Sequence, residues 1–168
     1  MLVRSILTVV VGAQLSASAA AAPVADGSWA WPVSGPVIHR FEPPETPFGS
    51  GHRGIDVAVP AGTIVVAPEA GLVAFSGKVA GQLFVTLDHG GGLTSTYSWL
   101  SETLVRKGDA VPRGVPIART GQGHAGGSVP HLHLGVRLDG GYLDPMEFLE
   151  PPSVSGFIWL APLAEAAR

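Results

Sequence analysis

The residues from 55 to 121 alternate between short runs rich in Val, Ile, Leu, Thr and aromatic side chains and breaks rich in Gly, Pro and Asp. Breaks such as Pro60-Ala-Gly62 and Asp88-His-Gly-Gly-Gly92 contain residues that preset turns or supply positive φ angles. The chain has 23 glycines and 15 prolines among 168 residues, but it is also 46% hydrophobic, which argues against disorder. We therefore expect one all-β domain, a compact antiparallel β barrel-sandwich with at most one short helix.

The predicted strands follow these runs. They cover residues 55–59, 63–67, 71–76, 83–87, 93–99, 115–119 and 131–138, and a further short strand lies between Trp29 and Phe41. The clearest helix start is Asp144-Pro-Met-Glu147, where Asp is a good N-cap and Pro suits the first helical position. We expect one or two helical turns there.

The chain divides into four predicted segments. Residues 1–22 combine Arg4, an apolar run and a small-residue stretch, the three parts of a secretory signal peptide. Residues 23–50 form an N-terminal strand and loop, residues 51–150 the domain core and residues 151–168 a C-terminal tail. The apolar run in that tail is too short to span a membrane, so we expect it to pack on the domain.

Charge and cysteine content exclude several classes of partner. The formal net charge is −3, and loss of Arg4 with the leader makes it one unit more negative, so no broad basic surface for nucleic acid or anionic membranes is indicated. The chain has no cysteine, which excludes disulfides and a lipid-modified cysteine. We expect a monomer outside the cytoplasm, without a membrane span once the signal is removed.

Two short motifs carry the side chains most suited to chemistry. The first is His52-Arg-Gly-Ile-Asp56, and the second is His131-Leu-His133. A set of His and carboxylate ligands leaves a zinc ion one open position, which suits catalysis better than structural binding. On an extended strand His52 and Asp56 would lie roughly 13 Å apart, so we expect Gly54 to permit a bend that brings them together.

The strand over residues 131–138 alternates in polarity. His131, His133 and Arg137 should share one face, because residues two apart on a strand point the same way. The intervening side chains, Leu132, Leu134, Val136 and Leu138, should face the core. Both histidines can therefore reach one site.

Four segments in order give the chain a family resemblance. They are Gly51-His-Arg-Gly-Ile-Asp56, residues 88–97, residues 105–114 and Pro130-His-Leu-His133, and together they resemble the lysostaphin-type or LytM-type zinc metallopeptidases from about Trp31 to Leu149. The resemblance implies a duplicated hybrid motif fold and hydrolysis of peptide bonds in peptidoglycan stem peptides or cross-bridges by a metal-activated water. It implies that His52, Asp56 and His133 bind Zn²⁺, and that His131 is a catalytic residue. Together with the signal-peptide pattern of residues 1–22, it indicates a secreted, cell-wall-associated protein.

One position departs from the family pattern. Such enzymes carry a second catalytic His in a Tyr-x-His-Leu segment, whereas this chain has Tyr97-Ser-Trp99-Leu100. An indole N–H donates one hydrogen bond but cannot act as a base. This leaves open an alternative function, a LytM-like module that binds peptidoglycan or activates a separate cell-wall hydrolase.

The remaining candidates are expected to be structural. We interpret His124 as a solvated loop residue, although it could swing in to replace the missing donor, and His89 and His39 as structural side chains. Trp29 and Trp31 could stack on sugars but more often such residues close one end of a core. Tyr97 and Arg137 are weaker candidates for the cleft.

A third class of protein shares part of the pattern. Residues 105–118 also resemble lipoyl, biotinyl and phosphotransferase hybrid barrels. Those domains need a modified Lys or a phosphorylated His served by cytoplasmic partners, which the export signal disfavours.

Overall fold

The computed structural model describes residues 27–46, 49–124 and 129–151 of the protein. The predicted signal peptide and most of the predicted C-terminal tail lie outside these described residues, and the four segment boundaries remain predictions. No helix among the described residues has the length and apolar character needed to cross a membrane.

The described chain folds into ten strands. In order they are β1 Val37–His39, β2 Ile55–Ala58, β3 Ile64–Val66, β4 Gly71–Val79, β5 Gln82–Gly90, β6 Leu93–Thr103, β7 Ala110–Val111, β8 Pro116–Thr120, β9 His131–Leu138 and β10 Gly141–Leu143. The predicted helix start is a 3₁₀ turn over Pro145–Glu147, where the Asp144 carboxylate accepts a hydrogen bond from the Met146 N–H. It is the only helical segment within the described ranges.

All strand pairs are antiparallel, which confirms the predicted all-β antiparallel class. The main sheet follows the order β1-β2-β9-β6-β5-β4-β7, with β10 added to β9. The long strand β6 also pairs through its second half with β8, which in turn pairs with β3. Strand β6 thus joins the two parts of the sheet, and the pair β2–β9 lies beside it.

The core lies under one face of this sheet. Its largest buried side chains include Tyr97, Ile55, Leu87, Leu132 and Leu134. Trp29 is also buried, with its ring 5.0 Å from that of Phe148, and the Trp31 indole N–H donates to the Glu150 carbonyl. The interpretation of both tryptophans as core-closing residues agrees with these contacts.

A short polar chain crosses this core. The Tyr97 hydroxyl lies 2.8 Å from Ser95 Oγ, which lies 2.8 Å from His89 Nε2, and the His89 Nδ1–H donates to the Ala70 carbonyl. Burial raises the pKa of Tyr97 and lowers the pKa of His89, so both groups stay neutral. Tyr97 is fully buried, and its prediction as a cleft residue was wrong.

Several element bounds differ from the predicted ones. Strand β5 continues through His89 to Gly90, so His89 is part of a strand and not of the tight turn that Asp88-His-Gly suggested. The two short strands β7 and β10 were missed because two or three residues are too few to show the alternation of apolar and polar side chains that marks a strand. Leu138 is 37% exposed because it ends β9, beyond the part of the strand that covers the core.

We expect the stability of the fold to fall as the pH drops below 6.5, in part through His89. Its folded-state pKa lies below the unfolded value of 6.5, so the unfolded chain binds the proton first and acid favours unfolding. The variant His89→Gln lacks this group, and its free energy of unfolding should vary less with pH between 7 and 5. Urea unfolding followed by circular dichroism at several pH values measures the difference, and equal slopes for both proteins would exclude His89 as the cause.

Candidate metal centre

Four neighbouring strands place a row of polar side chains on one face of the sheet. Asp56 on β2 is paired with His39 on β1 and with His133 on β9, and His133 is paired with Ser98 on β6. Residues directly opposite each other in an antiparallel pair carry side chains on the same face. The register alone therefore brings both neighbours of Asp56 close to its carboxylate.

His52 reaches the same carboxylate from the segment just before β2. Its backbone pairs with Glu42 through two hydrogen bonds of 2.9 Å, and the chain bends at residues 53 and 54 before the strand begins. The His52 Nδ1–H donates to the Arg40 carbonyl at 2.7 Å. That bond fixes the tautomer and directs the Nε2 lone pair towards Asp56.

Three atoms converge as a ligand set would. Asp56 Oδ1 lies 3.2 Å from His52 Nε2 and 2.8 Å from His133 Nδ1, and the two nitrogens are 3.1 Å apart. Ligand atoms around a tetrahedral zinc ion lie roughly 3.3 Å from one another, given Zn–N and Zn–O bonds near 2.0–2.1 Å. The residues present therefore fit a zinc ion, with a small expansion of the cluster.

The electrostatics agree with a ligand role. Burial alone would raise the pKa of Asp56, but the hydrogen bond with His133 and the electrostatic attraction of His133, His52 and His131 outweigh it and hold this pKa well below its usual range. Burial lowers the pKa of His52, which favours the neutral imidazole. A carboxylate and neutral imidazoles are the forms that bind metal.

Gly54 is needed for space. A Cβ at this position would lie 2.2 Å from the Leu134 carbonyl oxygen and 2.8 Å from His133 Nε2. Its φ lies outside the left-handed region, so the expectation that Gly54 matters through its conformational freedom needs correction. The bend is present, but glycine is required there because the His133 imidazole lies against the backbone.

His131 lies deeper than its neighbour on β9. It is 1% exposed, its Nδ1–H donates to the Val129 carbonyl at 2.8 Å, and its Nε2 lies 3.9 Å from Asp56 Oδ2. The hydrogen bond from Nδ1 leaves Nε2 as the basic nitrogen. This Nε2 accepts a hydrogen bond of 3.4 Å from the His124 backbone N–H, so His131 is tied to both the carboxylate side of the site and the loop that carries His124.

His124 also reaches the site, contrary to its interpretation as a solvated loop residue. Its Nε2 lies 3.3 Å from Asp56 Oδ2, and its ring centre lies 4.6 Å from that of His131. Gly123 allows this approach, because it has a φ of +86° and a Cβ there would lie 2.3 Å from the His131 ring. The glycines of this loop are the sequence signal that could have indicated a close backbone approach.

Trp99 is a bulged residue. Leu83 and Phe84 on β5 pair with Leu100 and Ser98, so Trp99 has no partner in that register and adopts a φ of +64°. Its ring lies 6.0 Å from His124 and 6.4 Å from Phe84. The indole therefore stands beside His124, and it is His124 that contacts Asp56.

His39 is the second histidine that sequence reasoning placed outside the site. Its ring stacks on His52 with centres 3.8 Å apart, and its Nδ1 lies 3.5 Å from Asp56 Oδ2. Two other trios, His39–His52–Asp56 and Asp56–His124–His131, have ligand atoms within 4.8 Å of one another. The carboxylate of Asp56 is the member common to all these groups.

This set of imidazoles around one carboxylate, on the outer face of an antiparallel sheet, forms a candidate metal centre. The profile of the family described as Peptidase family M23 matches residues 50–145. The chain belongs to this family, as the resemblance to lysostaphin-type and LytM-type proteins implied.

Related proteins have several different descriptions. "Lipoprotein NlpD/LppB homolog" of Pseudomonas aeruginosa is 36% identical over 79% of this chain and 44% of its own length. "Murein hydrolase activator NlpD" of Salmonella typhimurium is 31% identical over 80% of this chain and 34% of its own length. "Uncharacterized metalloprotease" of Haemophilus influenzae is 35% identical over 72% of this chain and 24% of its own length. The chain thus spans half or less of the length of these relatives.

Solved structures show the same fold. A zinc-containing peptidase from Vibrio cholerae is 29% identical, with a TM-score of 0.62 over 75% of this chain and 41% of that chain. The catalytic domain of lysostaphin from Staphylococcus simulans is 26% identical, with a TM-score of 0.56 over 66% of this chain and 88% of that chain. Both similarities support the fold assignment.

We expect Gly54→Ala to weaken zinc binding by about 10- to 100-fold, the range seen when groups that orient ligands are disturbed. The new methyl group must displace the His133 ring or the Leu134 backbone. Competition with a zinc chelator dye measures the affinity. Gly77→Ala on β4 is the control, since its nearest contact, 3.4 Å, is ordinary, and equal affinities for both variants would contradict the role given to Gly54.

Proposed function

We propose that the protein is an exported zinc metalloendopeptidase of the LytM type that hydrolyses peptide bonds in peptidoglycan stem peptides or cross-bridges. The observation that carries this proposal is the contact of His52 and His133 with one oxygen of a carboxylate that is 2% exposed. Family membership and relatives described as a metalloprotease and a zinc-containing peptidase support it.

In this proposal His52 Nε2, Asp56 Oδ1 and His133 Nδ1 hold Zn²⁺. The ion, when bound, polarises the peptide carbonyl and makes a water molecule a better nucleophile. The Arg40 carbonyl orients the His52 ring through Nδ1. Because the three ligands come from two paired strands and one anchored bend, their geometry is set by the backbone register.

His131 acts as the general base in this proposal. Its Nε2 is the basic nitrogen, since Nδ1–H is committed to the Val129 carbonyl, and in the structure this Nε2 accepts a long hydrogen bond of 3.4 Å from the His124 backbone N–H, which an attacking water would replace. It takes the proton of the attacking water and later passes it to the leaving amine. Such general-base catalysis contributes typically 10²- to 10⁴-fold in rate.

His124 supplies the imidazole that is absent at Trp99. Its ring lies between those of Trp99 and His131, and its Nε2 reaches Asp56 Oδ2. An imidazole at this position can donate a hydrogen bond to the developing oxyanion of the substrate. A loop residue thereby takes over the role that the family pattern gives to a residue of β6.

The second candidate function is activation of a separate cell-wall hydrolase by a module without turnover. Trp99 favours it, because the imidazole expected at this position of the family pattern is absent. The relative described as a murein hydrolase activator also favours it. In this case the domain binds peptidoglycan or the partner enzyme through the same face.

We also propose an extracytoplasmic, cell-wall-associated location. The leader-like pattern of residues 1–22 supports it. Relatives described as lipoproteins also support it.

If the protein is an endopeptidase, it should release soluble muropeptides from purified sacculi, and chromatography measures this release. Asp56→Asn should abolish this release, because a neutral amide in place of the carboxylate is a poor zinc ligand, and zinc content should fall with it. Asp88→Asn, which alters an exposed carboxylate on β5, is the control. Release by the wild type only after addition of a separate hydrolase would favour the activator instead.

We expect His124→Ala to lower the rate of hydrolysis by about 10²- to 10³-fold, the loss found when one oxyanion donor is removed. Its zinc content should not change, since His124 is outside the proposed ligand set. Adding Trp99→His to this variant should recover part of the rate. An unchanged rate for His124→Ala, or a parallel loss of zinc, would contradict the role proposed here.

A further inference from the structure

A cleft of about 540 Å³ leads away from His133 along the outer face of the sheet. Its floor is formed by β5, β6 and β9, and its far end by Arg137 and Tyr142. His133 and Arg137 are four residues apart on β9, which is roughly 13 Å on an extended strand. An extended peptide of about four residues spans the same distance.

The floor of the cleft suits an extended peptide. Thr86, Thr96 and Ser98 present hydroxyl groups, and the Thr86 and Thr96 hydroxyls lie 3.1 Å apart. Gly135 lies between His133 and Arg137 on the same face of β9, and it adds no side chain to the floor. The Arg53 carbonyl already packs over Gly135, 3.1 Å from where a Cβ would lie. A bound peptide backbone would therefore lie beside this carbonyl and form hydrogen bonds with the hydroxyls of the floor.

Two guanidinium groups line this cleft beside one aromatic ring. Cζ of Arg137 lies 4.1 Å from the centre of the Tyr142 ring, and Cζ of Arg53 lies 5.7 Å from it. Arg137 also donates to the Tyr142 hydroxyl, and Arg53 donates to the Gly49 carbonyl at 2.8 Å. These contacts orient both guanidinium groups, and the five N–H donors of Arg137 exceed the one that its bond to Tyr142 uses.

The cleft is positively charged on a protein that is negative overall. The formal net charge is −3, but the charged residues that line the cleft are Arg53 and Arg137. Among the described residues Arg137 takes part in no ion pair. Glu45 lines a different pocket, which shares only Tyr142 with the cleft.

We propose that this cleft is a subsite for a carboxylate of the substrate, bound by Arg137 with Arg53 alongside. The substrate class is an acidic peptide whose carboxylate lies within about four residues of the bond at the metal centre. Arg binds carboxylates through parallel N–H···O hydrogen bonds, and the Tyr142 ring holds the guanidinium plane in place. The proposal rests on the proposed function in taking a peptide as the ligand, but it concerns binding and not turnover.

The test compares two N-acetylated tetra-alanine peptides that differ only at the C-terminus, one a carboxylate and the other an amide. Calorimetry with zinc-loaded protein should show about tenfold tighter binding of the carboxylate, the size expected for a charge-assisted pair. Arg137→Gln should remove this preference by weakening only the carboxylate peptide. Arg53→Gln should reduce it, and Arg106→Gln, which alters an exposed arginine outside the cleft, should leave it unchanged.

Arg137→Lys and a salt titration test the subsite if Arg137→Gln does not fold. The lysine variant keeps the charge and should retain a smaller preference, and higher salt should reduce the preference of the wild type. Equal binding of both peptides by the wild type overturns the proposal. A preference that persists in Arg137→Gln also overturns it, since the carboxylate would then bind the metal.

Hydrolysis assays on the same proteins separate the subsite from the proposed function. A carboxylate preference that depends on Arg137, found without digestion of sacculi, would support the subsite and contradict the proposed endopeptidase activity. Digestion of sacculi without a carboxylate preference would support the endopeptidase activity and contradict the subsite.

Discussion

The buried carboxylate of Asp56 is the group on which the whole site depends. It is 2% exposed, and a buried charge is tolerated only when hydrogen bonds and opposite charges compensate its loss of hydration. One oxygen contacts His52 and His133, and the other lies within 4 Å of His39, His124 and His131. The imidazoles stabilise the carboxylate, and the carboxylate in turn holds their rings towards one point.

This arrangement follows from the register of the sheet. The β1–β2 and β2–β9 pairs set His39 and His133 on either side of Asp56. A shift of either pair by one residue would turn every side chain of the shifted strand to the opposite face and dismantle the site. The core residues that fix the register, such as Ile55 and Leu132, therefore have an indirect role in the chemistry.

Much of the fold could be predicted because β-branched runs and Gly/Pro turns are local signals. The strand of residues 131–138 and the face shared by its two histidines followed directly from alternation. His39 and His124 could not be placed, since their positions depend on a bulge between β1 and β2 and on a glycine loop packed against His131. The cleft arginines meet through Tyr142 on β10, a strand too short and glycine-bounded for its sequence to reveal.

The departure from the family pattern at Trp99 does not leave the site without a further histidine, because His124 lies beside it. The bulge at Trp99 and the loop with His124 are tied together, because the Gly121 N–H donates to the Trp99 carbonyl at 2.8 Å. A Cβ at residue 121 would lie 2.5 Å from that same oxygen, so glycine is required for this contact. The site's chemistry is thus distributed between one sheet and one glycine-rich loop.

Anomalous diffraction at the zinc absorption edge from crystals of the zinc-loaded protein tests the central claim most directly. The account predicts one strong peak about 2.0–2.2 Å from His52 Nε2, Asp56 Oδ1 and His133 Nδ1. A strong peak next to His124 and His131 instead would contradict the account. The absence of any peak, with the side chains of His52, Asp56 and His133 well ordered, would also contradict it.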